Sequence, residues 1–305
     1  MPKITISNIN QSVETNCKNY IEQCEDTYMR SLKNVVDKIF SVDDRILVML
    51  AGPSSSGKTT TARIISQLIK DRGRNATIVS LDDFYKEQTD YPVFEDGTPN
   101  FETIEALDIN NIIKTLRALV ETGECSMPIF DFVNKKPIEN GKFLKVGNND
   151  VIIVEGLHAL NPIITDPLKD ENMLKLYVSV STRIYNNEGL VEFTKRDIRF
   201  LRRLIRDYRF RNTSVEYTFY LWHGVRRGED EYLFPFTKNA DVKIDSIHPY
   251  ELCLYKEKAT QLLKQLSSES KYYEKAVDYI NQLSLLCDLP IETVPENSLL
   301  HEFIG

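Results

Sequence analysis

The chain has 305 residues, of which 42% are hydrophobic and 27% are charged, and it contains five cysteines with no CxxC pair. Such a chain is long enough to bury a sizeable core, in one large α/β domain or two smaller ones. The formal net charge of −7 argues against a protein that coats nucleic acid or an acidic membrane by bulk attraction. Neither a disulfide framework nor a zinc site is indicated. We therefore expect a cytoplasmic protein without membrane contact or stable nucleic-acid binding, and a homo-oligomer stays open.

Residues 11–41 carry apolar side chains at helical spacing, with a charged opposite face. This spacing predicts one long amphipathic helix, broken at most once. We expect the N-terminal segment, residues 1–44, to pack on the main domain rather than to bind a partner.

The stretch Gly52–Thr59 reads GPSSSGKT, between the apolar strand Arg45–Ala51 and a run that is compatible with a helix. It fits the G-x-x-x-x-G-K-[ST] pattern, in which backbone N–H groups and a helix N-terminus bind the phosphates of a nucleotide such as ATP. Lys58 would reach the outer phosphates, and Thr59 would offer a hydroxyl to Mg²⁺. The alternative is a serine-rich turn, which has no need for the Lys-Thr pair. The predicted nucleotide-binding residues are Gly52, Pro53, Ser54, Ser55, Ser56, Gly57, Lys58, Thr59 and Thr60.

A second strand is predicted from Ala76 to Leu81, and it leads directly into Asp82 and Asp83. Carboxylates at the carboxyl end of a parallel strand lie where open α/β sheets bind ligands. One of the pair would accept a proton from an attacking hydroxyl or help to order Mg²⁺, or both would only cap a turn. The polar run Lys86–Asn100 then indicates a mobile loop.

A helix over Ile109–Glu121 is followed by two short strands that predict an antiparallel flap at about residues 124–146. Phe130, Asp131 and Phe132 lie in its first strand. Aromatic rings on either side of an acid would sandwich a planar base, or they would form the small core of the flap.

The third buried strand, Val151–Gly156, carries an acid after four apolar residues. This arrangement predicts that Glu155 holds Mg²⁺ through water, opposite the hydroxyl of the phosphate loop. A fourth strand is predicted over Lys175–Val180.

Residues 195–211 are rich in arginine. Spacings of three and four place Arg199, Arg202, Arg203 and Arg206 along one side of a helix. Beside a phosphate loop, this pattern favours a lid, at about residues 190–213, whose guanidinium groups neutralise a transferring phosphoryl group. RNA contact and a plain solvated face are the alternatives.

The remainder predicts a helix to about Arg227, a fifth strand over Ala240–Ile244, helices over Tyr250–Leu266 and Lys271–Leu286, and a tail. Together these elements predict an α/β, three-layer P-loop NTPase fold. Its features are a mostly parallel five-stranded sheet, the antiparallel flap and the arginine-rich helical lid.

Several stretches, in this order, resemble the uridine kinase and phosphoribulokinase group of P-loop kinases. They are GPSSSGKTT, SLDDFYK, NFETIEALD, MPIFDF, VIIVEGLHAL, RRLIRD and TKNADV. The runs RDYRFRNTS, VRRGEDEYLFPF and ENSLLHEFIG resemble a bacterial-type, uridine kinase-like branch, and we expect this chain to lack that branch's N-terminal synthetase-like module. The resemblance implies a kinase domain over residues 45–250 and a C-terminal helical extension over residues 251–305.

The resemblance also implies roles for single residues. It makes Asp82 the catalytic acid that deprotonates the acceptor, with Tyr85 beside it, and it makes Arg206 and Arg211 catalytic together with Lys58. Glu102 stands where the family has an aspartate that grips the ribose hydroxyls. Phe130 and Phe132 fall on the base-binding aromatic positions, and Lys135 falls on a histidine that often helps to read the pyrimidine.

Taken together, the resemblance implies an ATP- and Mg²⁺-dependent kinase that transfers the γ-phosphate to the 5′-hydroxyl of a small-molecule acceptor, a uridine- or cytidine-like nucleoside. Two alternatives stay open. One is a kinase of the same fold for another hydroxylated metabolite, such as a sugar phosphate or a vitamin precursor. The other is a non-catalytic ATP-binding protein with a regulatory or RNA-associated role.

Overall fold

The computed structural model describes residues 3–87, 91–93, 100, 102–132 and 134–305. The predicted loop Lys86–Asn100 therefore lies largely outside the described residues. The strands in chain order are β1 Ile4–Thr5, β2 Ile46–Ala51, β3 Ala76–Ser80, β4 Glu124–Asp131, β5 Lys136–Lys145, β6 Val151–Glu155, β7 Met173–Ser179, β8 Ile184–Tyr185, β9 Val191–Phe193 and β10 Val242–Asp245. The helices are α1 Ile6–Ile39, α2 Lys58–Asp71, α3 Ile109–Glu121, α4 Pro162–Thr165, α5 Lys195–Arg211, α6 Val215–Tyr232, α7 Glu251–Leu263, α8 Tyr273–Ser284 and α9 His301–Ile304.

The centre of the molecule is a five-stranded sheet in the order β10-β7-β2-β6-β3, and every neighbouring pair is parallel. Strands β2 and β6 are buried at every position, because helices cover both faces of a parallel sheet. The predicted α/β fold with a mostly parallel five-stranded sheet is confirmed. The carboxyl ends of β2, β3 and β6 lie at one edge of the sheet. The P-loop follows β2, Asp82 lies two residues after the end of β3, and Glu155 is the last residue of β6.

Strands β4 and β5 pair in an antiparallel hairpin, as predicted for the flap. A small three-stranded sheet, β1-β8-β9, was not predicted, because its strands are only two or three residues long. It joins the start of the chain to the segment that precedes α5.

Helix α1 is 34 residues long and contains one kink, at Asn16, where φ is −155° and ψ is 69°. The predicted long helix with a single break is thus present, and it begins five residues earlier than the sequence indicates. The carboxylate of Glu25 accepts hydrogen bonds from Tyr250 and from Ser298, at 2.5 and 2.6 Å. One carboxylate of α1 therefore ties down both the start of α7 and the tail.

The arginine-rich helix α5 is embedded in the protein, with α6, α7, α8 and the tail packed around its apolar side chains. Three of its arginines, Arg199, Arg202 and Arg203, are buried as well. Arg199 forms an ion pair with Glu229 of α6, at 2.6 Å, and Arg202 forms a two-pronged pair with Glu251 of α7, at 2.6 and 2.8 Å. Arg199 and Arg202, which the spacing placed among the lid residues, are therefore held between helices.

The tail that follows α8 is folded. Leu299, Leu300 and Phe303 are completely buried, and the guanidinium of Arg202 lies 4.9 Å from the centre of the Phe303 ring. A helix long and apolar enough to cross a membrane is not present in the described part of the chain.

The buried pair Arg202–Glu251 generates a stability prediction. We expect Glu251→Gln to lower the free energy of unfolding by about 3–5 kcal/mol, because it leaves the completely buried Arg202 charge without its partner. Urea unfolding followed by circular dichroism measures the change. The matched control is Glu231→Gln, which breaks the exposed pair with Arg227 and should cost less than about 1 kcal/mol. Equal losses in both variants would contradict a structural role for the buried pair.

Candidate active site

The phosphate loop has the backbone conformation that an anion-binding cradle needs. Ser55 and Gly57 have φ angles of 57° and 84°, in the left-handed region, which turns successive N–H groups to one side. A side chain at Gly57 would also meet Leu299, at 2.6 Å. The hydroxyl groups of Ser55 and Ser56 are buried without a hydrogen-bond partner among the described residues. Unpaired donors inside this loop fit a site that is completed by an anionic ligand.

Helices α5 and α6 hold the loop from outside through Ser54. The backbone N–H of Ser54 donates to Glu229 at 2.9 Å, and its carbonyl accepts from Arg199 at the same distance. Its hydroxyl accepts from Arg203 at 2.8 Å. Three polar groups of one loop residue are thus fixed by two helices.

The tail supports the other side of the loop. Leu299 packs against Gly57, and the hydroxyl of Thr60 donates to Glu302 of α9 at 2.6 Å. The sequence predicts only a tail for this segment and does not indicate its contact with the loop.

Strands β3 and β6 bring Glu155 to the loop. Its Oε1 accepts hydrogen bonds from Ser80 at 2.8 Å and from Thr59 at 3.4 Å. Burial and the neighbouring Asp82 raise the pKa of Glu155 to about 7. The structure thus brings the two predicted metal ligands together.

The two aspartates after β3 have different surroundings. The carboxylate of Asp83 accepts from the backbone N–H of Phe130 at 3.5 Å and so contacts the flap. The side chain of Asp82 is in contact with solvent. Surrounding protein atoms nevertheless desolvate its carboxyl group and raise its pKa, and the charges of Lys58 and Arg211 oppose this rise. Of the pair, Asp82 is the residue on which the charges of Lys58 and Arg211 act, whereas Asp83 is influenced by Lys142 of the flap.

The ammonium group of Lys58 lies among three acids. Burial raises the pKa values of Asp82, Glu102 and Glu155, and the positive charge of Lys58 counteracts the rise in each case. Lys58 itself donates to the carbonyl of Pro53 at 3.2 Å. Lys58 of the predicted ATP site is therefore close to Asp82 and Glu102 of the predicted acceptor site as well as to Glu155.

Three arginines of α5 gather around one acid. Arg203, Arg206 and Arg211 lie 3.1, 2.7 and 3.5 Å from the carboxylate of Asp207. Three cations and one anion give this cluster a net charge of +2. Burial raises the pKa of Asp82, and the charge of Arg211 opposes this rise, so the positive charge of the cluster extends to the candidate acceptor site and would attract an anion there.

The predicted acceptor residues are only partly assembled. Glu102 lies against Gly228 of α6. A Cβ atom added to Gly228 would be only 2.1 Å from the Cβ atom of Glu102. Burial raises the pKa of Glu102 to about 7, against the effect of Arg203. The neighbouring Phe101 lies outside the described residues.

The aromatic residues form a chain along the flap. The ring centres of Tyr85 and Phe130 are 5.7 Å apart, and those of Phe130 and Phe132 are 5.0 Å apart. Phe130 is buried, whereas Phe132 is 63% exposed. Lys135 is exposed in the turn of the hairpin, with a φ of 57°. Phe130 thus belongs to the flap core, and Phe132 is the ring that is open to a ligand.

The donor set suits Mg²⁺. Thr59 and Glu155 offer a hydroxyl and a carboxylate, which are the oxygen ligands that this cation prefers. Within the described ranges, no group of three or more His, Cys, Asp or Glu side chains forms a metal site by itself. Mg²⁺ takes most of its ligands from phosphates and water, so one or two protein ligands are sufficient.

A sequence model of the Phosphoribulokinase / Uridine kinase family matches residues 47–252. The chain belongs to this family. It is accordingly a P-loop kinase, a phosphotransferase with an alcohol group as acceptor.

Two curated relatives show the extent of the similarity. The uridine kinase of Borrelia duttonii (strain Ly) is 29% identical over 229 residues, which cover 74% of this chain and 98% of that protein. The uridine kinase of Borreliella burgdorferi (strain ZS7) is 30% identical over 225 residues, which cover 73% and 96%.

Two solved structures share the fold. A proposed fructose transport system kinase from Silicibacter sp. TM1040 matches with a TM-score of 0.51 and 18% identity, covering 70% of this chain and 98% of that one. YFH7 from Saccharomyces cerevisiae, proposed to be a P-loop kinase with a circular permutation, matches with a TM-score of 0.50 and 14% identity, covering 74% and 99%.

Among the residues of this kinase that contact the phosphate loop or its helix, four illustrate contacts that the sequence does not indicate. Arg203 was noted only as one of several arginines, and Glu229 lies in an acidic run without any local signal. The remaining two, Leu299 and Glu302, belong to the closing run ENSLLHEFIG, whose residue types do not indicate a contact with a loop more than 200 positions earlier.

His158 lies beneath the site, 3% exposed, and burial lowers its pKa to about 4. In the unfolded chain a histidine takes up a proton near pH 6.5, so the unfolded state binds more protons between pH 6.5 and 4. Stability is therefore fully present above this window and falls as the pH drops through it, by at most about 3 kcal/mol. We expect His158→Leu to flatten this loss, measured by urea unfolding at pH 7.5 and 4.5.

The exposed His223 provides the control, since His223→Leu should keep the pH dependence of the wild type. An unchanged slope in His158→Leu would show that another group causes the acid sensitivity.

Proposed function

We propose that this protein transfers the γ-phosphate of ATP to the 5′-hydroxyl of a nucleoside such as uridine or cytidine. The observation that carries the proposal is that the charges of Lys58, in the phosphate loop, and of Arg211, in the arginine cluster, both act on the carboxylate of Asp82. A carboxylate between the cations that bind phosphate is placed to accept the proton of an attacking hydroxyl.

We assign the following roles in the reaction to residues of this chain. The loop Gly52–Thr60 binds the phosphates of ATP through its N–H groups and Lys58. Asp82 orients and deprotonates the acceptor, and Arg206 and Arg211 balance the charge on the transferring group. Mg²⁺, held by Thr59 and through water by Glu155, would neutralise phosphate charge when bound.

A nucleoside acceptor is supported by the two uridine kinases that resemble the chain along almost their whole length. Glu102 would accept hydrogen bonds from ribose hydroxyls, and Phe132 would stack on the base. Tyr85, next to Phe130, would close the side of the acceptor site.

A second candidate is a kinase of the same family for another hydroxylated metabolite. Its basis is Lys135, which stands at the sequence position of the family's base-reading histidine but has an exposed side chain in the turn of the flap. An acceptor without a pyrimidine would not need that contact.

The role of Asp82 is tested by Asp82→Asn. We expect kcat to fall by about 10²–10⁴-fold, because the amide does not accept the proton, while ATP affinity stays nearly unchanged. The matched control is Asp83→Asn, whose carboxylate contacts the flap and which should lose less than about tenfold. A wild-type rate in Asp82→Asn would exclude it as the base. Steady-state kinetics with a saturating acceptor measure both variants.

The acceptor is identified by ADP release with a panel of uridine, cytidine, other nucleosides, sugar phosphates and vitamin precursors. We expect uridine or cytidine to give the highest kcat/KM, with KM between about 1 μM and 1 mM. Lys58→Ala provides the blank, since it removes the charge that contacts the phosphates. A non-nucleoside with a much higher kcat/KM would favour the second candidate.

A further inference from the structure

A cavity of about 700 Å³ opens at the N-terminal end of α5, between α5, α6 and α8. The described residues that line it include none of the phosphate loop, Asp82, Glu102 or Glu155. Its volume is that of a small-molecule pocket, for which about 300–1,000 Å³ is usual. The proposed reaction does not use this cavity.

The floor of the cavity is a cluster of buried aromatic rings from three helices. Phe200 of α5 lies 4.5 Å from Phe219 and 5.7 Å from Trp222 of α6, between ring centres. It stacks on Tyr279 of α8 at 5.2 Å, with an angle of 15° between the ring planes. Tyr272 also lines the cavity and stacks on Phe219 at 5.1 Å, and it is only half-buried, so its ring extends this apolar floor to a surface on which a planar group can stack.

The rim of the cavity is basic. Arg183, Lys195, Arg226 and Lys275 line it with exposed side chains, in a chain whose net charge is −7. The one acid of the lining, Asp197, accepts a hydrogen bond from Tyr279 at 2.8 Å and also caps α5. The positive charge of the rim is therefore largely available to a ligand.

We infer that this cavity is a second ligand site, which binds a nucleotide through its phosphate at the basic rim and its base on the aromatic floor. Guanidinium and ammonium groups form strong, charge-assisted hydrogen bonds with phosphate, and aromatic rings take up the planar base. The volume of the cavity suits a single nucleotide.

One contact leads from this floor to the phosphate loop. The guanidinium of Arg199 lies 5.4 Å from the Trp222 ring centre and donates to Glu229 and to the carbonyl of Ser54. A ligand that moves Trp222 acts on a residue that holds the loop. We therefore expect occupancy of the cavity to change ATP affinity by about 5-fold or more.

Trp222 is the single tryptophan of the chain, so its fluorescence reports directly on the cavity. The probes are UTP, AMP, inorganic phosphate and uridine, with excitation on the red edge of tryptophan absorption, where nucleotides do not absorb. We expect saturable quenching by at least one nucleotide, and weaker or no quenching by phosphate or uridine alone. Arg226→Gln and Lys275→Gln should each weaken that binding about tenfold or more.

The neighbouring Arg227 is the matched control, because it is exposed on the same helix but does not line the cavity. Arg227→Gln should bind like the wild type, and Lys58→Ala should also retain the quenching. Quenching that is lost in Lys58→Ala but kept in Arg226→Gln would place the nucleotide at the phosphate loop and overturn the proposal. The absence of quenching by either nucleotide would overturn it as well.

The consequence for the loop is measured by ATP binding to wild type and Arg226→Gln, with and without the nucleotide that quenches Trp222. A change in ATP affinity in the wild type alone supports the coupling, and no change overturns it. Neither measurement requires turnover, so this inference stands or fails separately from the proposed function.

Discussion

The whole active site depends on the way in which two buried ion pairs hold the phosphate loop. Arg199–Glu229 and Arg202–Glu251 join α5 to α6 and α7, and the first pair also binds the backbone of Ser54 on both its N–H and its carbonyl. Buried charges are costly unless they are paired and hydrogen-bonded. Here each guanidinium has a carboxylate and additional oxygen acceptors. The helix that resembles a mobile lid in sequence is, along this face, a fixed support for the loop.

This support divides the arginines of α5 into two groups. Arg199 and Arg202 face inward and position the loop. Arg206 and Arg211 share the carboxylate of Asp207 and leave positive charge near Asp82. Arg203 contributes to both, since it binds Ser54 and also lies beside Asp207. A single helix therefore connects the shape of the phosphate loop with the charge that would balance a transferring phosphoryl group.

The sequence was sufficient to predict the central sheet, the flap and the order of the elements around the phosphate loop. Buried parallel strands read as continuous apolar runs, and the motif G-x-x-x-x-G-K-[ST] has a backbone requirement that few other turns share. Residue types and spacing alone were not sufficient to separate Asp82 from Asp83, or Arg202 from Arg206, and only the family resemblance singled out Asp82 and Arg206. Adjacent residues of one type have the same local signal, and only their tertiary neighbours distinguish them. The tail contact with Thr60 joins residues 242 positions apart, which no local pattern encodes.

The carboxylate of Glu25 has a consequence for the order of folding. It binds Tyr250 and Ser298, which lie 225 and 273 positions further along the chain, and Leu299 follows directly to support Gly57. Contacts across such long separations require closure of large loops and so tend to form late. The sheet can assemble from its own strands before then. We expect the phosphate loop to reach its final shape in the last steps of folding, so that nucleotide affinity distinguishes a completed molecule from one that has only formed its core.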